Sequence, residues 1–329
     1  MKFDCKKAIK SIIDFPGNNE IQGATLNIAW GVDENFMFGA VVSMTSVLIN
    51  NKNINTHLHL FTDYIDDDFE NKIKKLAQDF STDISIYIVD AEELKVLPNG
   101  NAWTYAMYFR FVAFEYLSDN IKTLLYIDAD VICKGSLLDL CYLDIEEYIA
   151  AVVKDVDDSP ARKIEENYNY FNSGVVYANL KKWKDDVFLD SVFDLLLDKN
   201  VKLSFPDQDA LNIVFADKVI FLPRIYNAIY GIKQELKNKN IEKYKEYITP
   251  DTILIHYVGV TKPWNTWANY PSVQYFIDAW KSSPWSEKPR LQAKTPKQYK
   301  KKSRHERLQG KYFISLVSYL GYLVSKLKR

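Results

Sequence analysis

The sequence predicts an α/β protein in which helices flank a mostly parallel β-sheet. Short apolar runs alternate with segments whose apolar residues recur at helical spacing, and repeated strand-then-helix units favour a parallel sheet. Hydrophobic residues make up 47% of the 329 residues, which is enough for a large core and argues against global disorder. In such sheets ligands bind beyond the carboxyl ends of the strands. Polar clusters directly after apolar runs are therefore the candidate sites.

The predicted elements follow one another in a regular order. Apolar runs or alternating apolar residues predict strands at residues 26–30, 57–61, 84–88, 123–127, 149–153, 174–179 and 252–258. Helical spacing predicts helices at residues 40–48, 66–80, 103–117, 181–198 and 207–215. The second of these also begins with acidic residues, which favour the N-terminus of a helix.

Charge divides the chain into a body and a tail. Residues 288–329 carry 13 Lys and Arg against one acid, Glu306, although the net charge of the whole chain is −1. This asymmetry indicates a tail that meets an anionic surface. Prolines at 284, 289 and 296 interrupt regular structure near the change. We therefore expect a polar lead-in at residues 1–24, a folded body at 25–285 and a basic amphipathic helical tail at 286–329.

Cysteine usage and the N-terminus indicate the compartment. Cys5, Cys133 and Cys141 are odd in number and form no CxxC pair. A disulfide framework or structural zinc site is therefore not expected, and a reducing cytoplasm is. The first residues lack the apolar centre of a signal peptide. No stretch reaches the roughly 18 apolar residues expected of a membrane-spanning helix.

The strongest local signal is a pair of aspartates after a buried strand. The apolar run at residues 124–127 leads directly into Asp128 and Asp130. Strand periodicity places both carboxylates on one face, where repulsion would raise one pKa unless a cation lies between them. Oxygen ligands suit Mg²⁺ or Mn²⁺. The alternatives are a solvated strand end and a phosphatase motif whose first aspartate is a covalent nucleophile.

A second apolar strand, at residues 252–258, carries His256. An imidazole together with carboxylates is a common ligand set for Mn²⁺. Gly259 would allow the backbone to approach a phosphate, and Lys262 supplies a positive charge suited to a diphosphate. A lone histidine is more often a hydrogen-bonded core residue, but the residues that follow His256 favour a binding site.

Six short segments occur together in one order. They are residues 27–35 (NIAWGVDEN), 107–111 (MYFRF), 125–130 (LYIDAD), 170–174 (YFNSG), 206–209 (PDQD) and 256–264 (HYVGVTKPW). Each is weak alone. All six in this order resemble glycosyltransferase family eight, and within it the bacterial lipopolysaccharide core glucosyl- and galactosyltransferases. The resemblance is spread over residues 26–285.

The resemblance implies a GT-A fold, which is a Rossmann-like nucleotide-binding fold, and a retaining enzyme. Such an enzyme would move glucose or galactose from a UDP-sugar to the outer-core oligosaccharide of lipopolysaccharide and form an α-linkage. The resemblance implies Mn²⁺ as the cofactor, with Mg²⁺ as the alternative, and metal ligation by Asp128, Asp130 and His256. It implies that the uridine is held by Asp33 and Asn35, the diphosphate by Gly259 and Lys262, and the donor hexose by Arg110, Asn172, Asp207 and Gln208, with Asp128 also at the donor.

The chemistry of these residue types agrees with the resemblance. Loss of UDP leaves negative charge on the β-phosphate, so a metal and Lys262 there stabilise the transition state more than the ground state. Asp207 and Gln208 are the candidate catalytic residues. An amide is a poor nucleophile, so we favour a front-face substitution in which Gln208 steadies the oxocarbenium. Structural alternatives are a surface cation at Arg110, a turn at Asn172 and a helix cap at Asp207.

Two other functions stay open on the sequence alone. A DxD-type phosphatase would release phosphate from a generic aryl phosphate without any UDP-sugar. A non-catalytic, membrane-associated UDP-sugar-binding protein or adaptor would retain the fold without turnover. Glucose and galactose both stay open as the transferred sugar, because the two differ at a single hydroxyl.

The tail predicts a helix that lies in a membrane interface. Apolar residues recur at helical spacing from Phe313 to Leu327, and basic residues lie on both sides of this segment. Such a helix is typical of attachment to an anionic leaflet. We expect a peripheral protein on the inner face of the bacterial cell membrane, with a lipid-linked oligosaccharide acceptor and no nucleic-acid partner. The alternative is that this helix docks onto the body. The loop at residues 154–169 is a candidate lid or acceptor wall.

Overall fold

A computed structural model of the chain describes residues 3–17, 23, 25–98, 104–155, 169–237, 240 and 242–327. Its strands are β1 (Ile9–Phe15), β2 (Leu26–Val32), β3 (Thr56–Thr62), β4 (Asp83–Val89), β5 (Thr123–Ile127), β6 (Val131–Cys133), β7 (Ala150–Lys154), β8 (Phe171–Asn179), β9 (Val219–Phe221), β10 (Ala228–Ile229) and β11 (Leu254–His256). Its α-helices are α1 (Cys5–Ala8), α2 (Met37–Asn50), α3 (Asp67–Phe80), α4 (Phe109–Leu117), α5 (Leu138–Cys141), α6 (Leu180–Asp185), α7 (Phe188–Leu197), α8 (Pro206–Val214), α9 (Gln274–Lys281), α10 (Pro296–Leu308) and α11 (Tyr312–Leu327).

The main sheet has eight strands in the order β1-β4-β3-β2-β5-β8-β7-β9. Its centre, β4-β3-β2-β5, is parallel, as the alternation of strands and helices predicts. Strand β8 runs antiparallel to both β5 and β7, so the whole sheet is mixed. Every residue of β8 is buried, which is typical of a strand covered on both faces.

The N-terminal segment contributes to this sheet. We expected residues 1–24 to be a polar lead-in, but β1 pairs with β4 along the edge of the sheet, from Ile9 opposite Val89 to Phe15 opposite Ile84. Phe15 is buried, whereas most other β1 side chains are partly or fully exposed. An exposed edge strand has little apolar pattern, which is why its sequence resembles a loop. Residues 18–22 and 24 lie outside the described residues.

Two predicted helices differ in detail from the observed ones. The single helix expected at residues 181–198 is divided into α6 and α7, because Val187 adopts a left-handed φ of 53°. The helix expected at 103–117 begins with a 3₁₀ turn at Tyr105–Tyr108 and continues as α4. Residue 103 lies outside the described residues.

Helices cover both faces of the main sheet. On one face Trp30 and Ile73 belong to a core that includes residues of α2, α3 and α9. On the other face the core includes residues of α4, α6, α7 and α8, with Trp183 stacked on Phe111 and Phe188 at ring-centroid distances of 6.3 and 6.1 Å. The two cores enclose the central parallel strands, whose carboxyl ends lie at one edge of the sheet.

The tail consists of two consecutive helices, α10 and α11, which pack against each other. A capping box made by Thr295 and Gln298 begins α10. Helix α11 packs on α10 through small residues, with the Ser315 hydroxyl donating to the Ser303 carbonyl oxygen at 2.8 Å. Across the described ranges, no helix combines the length and the apolarity that crossing a bilayer requires.

Candidate active site

The second sheet, β10-β11-β6, brings the predicted metal ligands together. Strand β5 ends at Ile127, a short turn carries Asp128 and Asp130, and β6 begins immediately afterwards. Strand β11 pairs antiparallel with β6 so that His256 lies opposite Val131. One ligand atom from each of the two aspartates and the histidine lies within 4.8 Å of the others. The pairing of two strands distant in sequence therefore creates a three-ligand cluster.

The donor set of this cluster fits a divalent cation. Asp130 Oδ1 lies 3.2 Å from His256 Nε2. This oxygen is buried and accepts no hydrogen bond from the described residues. A buried carboxylate oxygen without a donor is unfavourable, and a cation between the carboxylates and the imidazole relieves that penalty. Two carboxylates and an imidazole suit Mn²⁺, and the carboxylates also suit Mg²⁺.

The two aspartates differ in their electrostatic surroundings. Burial raises the pKa of Asp128, and the nearby Asp130 charge adds to this while Arg110 opposes it. Burial acts in the same direction on Asp130, but the positive charge of Lys262 opposes it, and the pKa of Asp130 is held below its usual range. The Lys262 ammonium contacts Asp130 Oδ2 and donates to the Tyr257 carbonyl oxygen at 3.1 Å. Lys262 therefore lies directly at the carboxylate cluster.

Arg110 holds two carboxylates of the site together. Its side chain is 3% exposed, and its Nη2 lies 2.9 Å from Asp128 and 3.1 Å from Asp207. Nη1 donates to the Ser173 carbonyl oxygen at 2.8 Å, and Nε donates to that of Met107 at 3.0 Å. Burial would lower the pKa of Arg110, but the two carboxylates raise it. The guanidinium is thus a fixed positive charge inside the site.

Gln208 is held on both ends of its amide. It lies in the first turn of α8. Pro206 at the first helical position favours the start of a helix there. Its Oε1 accepts from Asn172 Nδ2 at 3.1 Å and from the Ser173 backbone N–H at 3.0 Å. Its Nε2 donates to Asp155 Oδ2 at 3.0 Å and to the Tyr170 hydroxyl at 3.1 Å. These bonds give the amide one fixed orientation.

The remaining predicted donor residues lie at neighbouring strand ends. Asp33 directly follows β2, which pairs with β5, and its Oδ1 accepts from the Asn35 backbone N–H at 3.0 Å. Asn35 itself is exposed. Gly259 is exposed with a φ of +93°, and, its two chain neighbours aside, no heavy atom of the described residues lies within 4 Å of the position that a Cβ would take. Its open backbone suits the approach of a ligand.

Gly174 is required by the packing of the site. It lies in the segment that the sequence left open as a turn, but here it belongs to β8. A Cβ at this position would overlap the imidazole of His256 and lie 2.9 Å from Asp128 Oδ2. Only glycine therefore leaves room for both metal-ligand candidates.

Sequence reasoning missed several polar residues that support the site. Asn227 is completely buried, and its Oδ1 lies 3.2 Å from His256 Nδ1. Tyr170 donates to the buried carboxylate of Asp209, which also accepts from the Ser204 and Phe205 backbone N–H groups. The only sequence signal for Asn227 is a single amide within an otherwise apolar run at residues 225–230. Most of the candidate lid, residues 156–168, lies outside the described residues.

Comparisons with known proteins agree with this geometry. Residues 27–268 match the family described as glycosyl transferase family 8, and residues 270–326 match its C-terminal region. The lipopolysaccharide 1,2-glucosyltransferase of Escherichia coli is 41% identical over 310 residues, which cover 92% of this chain and 91% of that protein. The lipopolysaccharide 1,3-galactosyltransferase of Salmonella typhimurium is 34% identical over 336 residues, covering 99% and 98%.

A solved structure confirms the predicted GT-A fold. The galactosyltransferase LgtC, in complex with donor and acceptor sugar analogues, superimposes with a TM-score of 0.67 over 78% of this chain and 96% of that chain. At 22% identity, this likeness is one of fold. The family match over most of the length, together with relatives 34 to 41% identical along nearly the whole chain, shows that the chain belongs to glycosyl transferase family 8.

Proposed function

We propose that the protein is a retaining, Mn²⁺-dependent glycosyltransferase that moves glucose or galactose from a UDP-sugar to the core oligosaccharide of lipopolysaccharide. The observation that carries this proposal is the convergence of Asp128, Asp130 and His256 around a buried carboxylate oxygen that accepts no hydrogen bond from the described residues, with Lys262 beside it. The names of the two relatives support the acceptor class. Family membership argues against the phosphatase alternative.

In this proposal the cluster holds the metal and neighbouring strands hold the donor. Mn²⁺, or Mg²⁺, bound by the two aspartates and His256 would supply positive charge against the diphosphate as it departs. Lys262 adds a second positive charge at the same point, and the open backbone of Gly259 admits the phosphates. Asp33 and Asn35 hold the uridine at the end of β2.

The hexose is bound by the network around α8. In this proposal Asp207 accepts hydrogen bonds from the sugar hydroxyls, and Asn172 both donates and accepts. The ion pair with Arg110 fixes the position of the Asp207 carboxylate and favours its charged form. Gln208 lies between Asn172 and the carboxylate of Asp155. The α8 residues thus fix the sugar relative to the departing phosphate.

Retention follows in this proposal from a front-face substitution. The bond between the anomeric carbon and the UDP oxygen breaks, the acceptor hydroxyl oxygen bonds to that carbon from the same face, and its proton passes to the departing β-phosphate. The neutral amide of Gln208 is a poor nucleophile, and its Oε1, which accepts from Asn172 Nδ2 and from the N–H and hydroxyl of Ser173, carries the partial negative charge that would steady positive charge on the ring. If Gln208→Ala kept a near wild-type kcat at saturating UDP-sugar, this role would be wrong.

We also propose that α11 attaches the protein to the inner leaflet of the cell membrane. Its apolar side chains are exposed, from Phe313 at 78% to Leu327 at 87%, while Ser315 and Ser318 are buried. The preceding helix α10 carries a run of Lys and Arg, which favours anionic lipid headgroups. Such attachment would place the site where a lipid-linked acceptor is presented.

A donor and acceptor panel tests the proposed reaction. Purified protein is incubated with UDP-glucose, UDP-galactose and other UDP-hexoses, with Mn²⁺, Mg²⁺ or EDTA, and with truncated lipopolysaccharides as acceptors. We expect metal-dependent transfer from UDP-glucose or UDP-galactose and a product with an α-linkage by NMR. Transfer that persists in EDTA, an inverted β-linkage, or phosphate release from a generic aryl phosphate would contradict the proposal.

A further inference from the structure

Asn227 lies between the candidate metal ligand His256 and the amides at the hexose side of the site. It directly precedes β10, whose residues Ala228 and Ile229 pair in parallel with Ile255 and His256. Its Oδ1 lies 3.2 Å from His256 Nδ1, and its Nδ2 donates to Asn172 Oδ1 at 3.0 Å. One buried amide therefore joins the two halves of the site.

Two backbone groups fix the direction of this hydrogen-bond chain. The Gly174 N–H donates to Asn172 Oδ1 at 3.1 Å, and the Ser173 N–H donates to Gln208 Oε1 at 3.0 Å. A backbone N–H can only donate, so the oxygen ends of both side-chain amides are determined. Asn172 Nδ2 must then face Gln208 Oε1, which it does at 3.1 Å.

The same direction determines the tautomer of His256. Because Asn172 Oδ1 is an acceptor, Asn227 presents its Nδ2 to it and its Oδ1 to the imidazole. In the neutral imidazole Nδ1 must then carry the hydrogen, and the lone pair of Nε2 points toward Asp130 Oδ1, 3.2 Å away. Both atoms then present lone pairs to the space among Asp128, Asp130 and His256, where a cation would bind.

We propose that Asn227 is a positioning residue that sets the Nδ1–H tautomer of His256 for metal binding and, through Asn172, orients the amide of Gln208. The inference rests on the proposed function, because it takes His256 to be a ligand of a divalent metal. Metal-binding histidines generally donate their second ring N–H to a fixed acceptor, which orients the ring. Here the acceptor is an amide, and its other end reaches the sugar side of the site.

Two substitutions separate the two contacts. Asn227→Asp keeps an acceptor for His256 but has no N–H for Asn172, whereas Asn227→Leu has a similar size and keeps neither contact. We expect Asn227→Leu to weaken Mn²⁺ binding in the presence of UDP by about 10- to 100-fold. We expect Asn227→Asp to bind Mn²⁺ as tightly as wild type but to lower kcat by about tenfold or more. Mn²⁺ binding is measured from the EPR signal of the free ion.

The tautomer itself can be observed without metal. The chain has four histidines, so long-range ¹H–¹⁵N NMR spectra of the ¹⁵N-histidine-labelled protein at pH 8 contain few signals, and His256→Gln assigns the relevant one. We expect the Nδ1–H tautomer in wild type and Asn227→Asp, and an altered or mixed tautomer in Asn227→Leu.

The outcomes distinguish the inference from the proposed function. An Nε2–H tautomer in wild type, or equal Mn²⁺ affinity in wild type and Asn227→Leu, would overturn the role of Asn227. Equal losses of Mn²⁺ affinity in both variants with an unchanged tautomer would indicate a merely structural role and also overturn it. A wild-type protein that binds no Mn²⁺ would defeat the metal proposal, while the metal-free spectra would still decide whether Asn227 sets the tautomer.

Discussion

The site around Asp130 and the helix α11 depart from the usual distribution of side chains in opposite ways. The site buries charged side chains, and the helix exposes apolar ones. Asp130 is 7% exposed and lies among other charged groups, whereas Phe313 on α11 is 78% exposed. Burial of charge is unfavourable unless the charge is paired or bound to metal, and a large exposed apolar surface usually marks a binding face. Each region is therefore unfavourable in water alone, and the ligands that we propose, a cation at one and a lipid surface at the other, would relieve this.

The two helices of the tail show the same contrast at close range. Helix α10 buries His305 against the body, with Nδ1 2.6 Å from the Tyr270 hydroxyl and Nε2 3.3 Å from Thr261 Oγ1. Thr261 directly precedes Lys262 in the loop of the active site. Helix α11 instead buries only small polar side chains against α10. The first helix is thus part of the enzyme body, and the second offers its apolar surface outward.

Removal of one charge at the site should have the largest effect. Lys262→Met keeps the length of the side chain but removes the cation that we propose lies beside the diphosphate, so we expect kcat to fall by about 10²- to 10³-fold. Mn²⁺ affinity should not fall, because Asp130 loses a competing positive charge. Steady-state kinetics with UDP-sugar and EPR of Mn²⁺ measure the two quantities. Lys181→Met, on the surface of α6, is the control. An equal kcat in both variants would contradict a role of the Lys262 charge in catalysis.

Polar substitutions on α11 should have the next largest effect. Replacing Leu316, Leu320 and Leu323 with Ser should reduce partition onto anionic vesicles by about 100-fold or more, because each Leu loses roughly 1.5 kcal/mol or more of apolar burial. Flotation with vesicles of defined composition measures the partition. Val96→Ser, an exposed apolar residue of the body, is the control. Flotation that is unaffected by the triple substitution would contradict membrane attachment through α11.

A single methyl group should disturb the buried cluster. Gly174→Ala places a Cβ against His256 and Asp128, so we expect Mn²⁺ affinity to fall by about tenfold or more while the fold is kept. The measurement is EPR titration of Mn²⁺, with circular dichroism to verify folding. Unchanged affinity in a folded variant would show that the imidazole is not held where the structure places it.

The smallest effect concerns acid stability of the α10 contact. Burial, and secondarily the Lys301 charge, lowers the pKa of His305 to about 4, below its value of 6.5 in a model peptide. Between these pH values the unfolded chain binds a proton that the folded chain does not, so stability falls as pH falls, by up to about 1.4 kcal/mol per unit. His305→Gln should lose this slope. Urea unfolding of both proteins at pH 7, 6 and 5 measures it, and parallel slopes would contradict the account.

The sequence was informative where function depends on strand ends. Asp128 and His256 each end an apolar run and Asp130 follows two residues later, so the residue pattern and the family resemblance identified them, whereas their convergence depends on the antiparallel pairing of β11 with β6. Asn227 could not be predicted, because its role arises from the pairing of β10 with β11, which are distant in sequence. Strand β1 was missed because most of its side chains are exposed. On α11 the apolar pattern was visible, but only the packing of Ser315 against Ser303 shows which side stays outside.

Mn²⁺ binding to wild type and to Asp130→Asn, measured by EPR with saturating UDP, tests the central claim most directly. The substitution keeps the shape of the side chain and removes the negative charge of a carboxylate whose Oδ1 accepts no hydrogen bond from the described residues. We expect one tightly bound Mn²⁺ per wild-type chain and a large loss of affinity in the variant. A wild-type protein without bound Mn²⁺, or equal binding by both proteins, would contradict it.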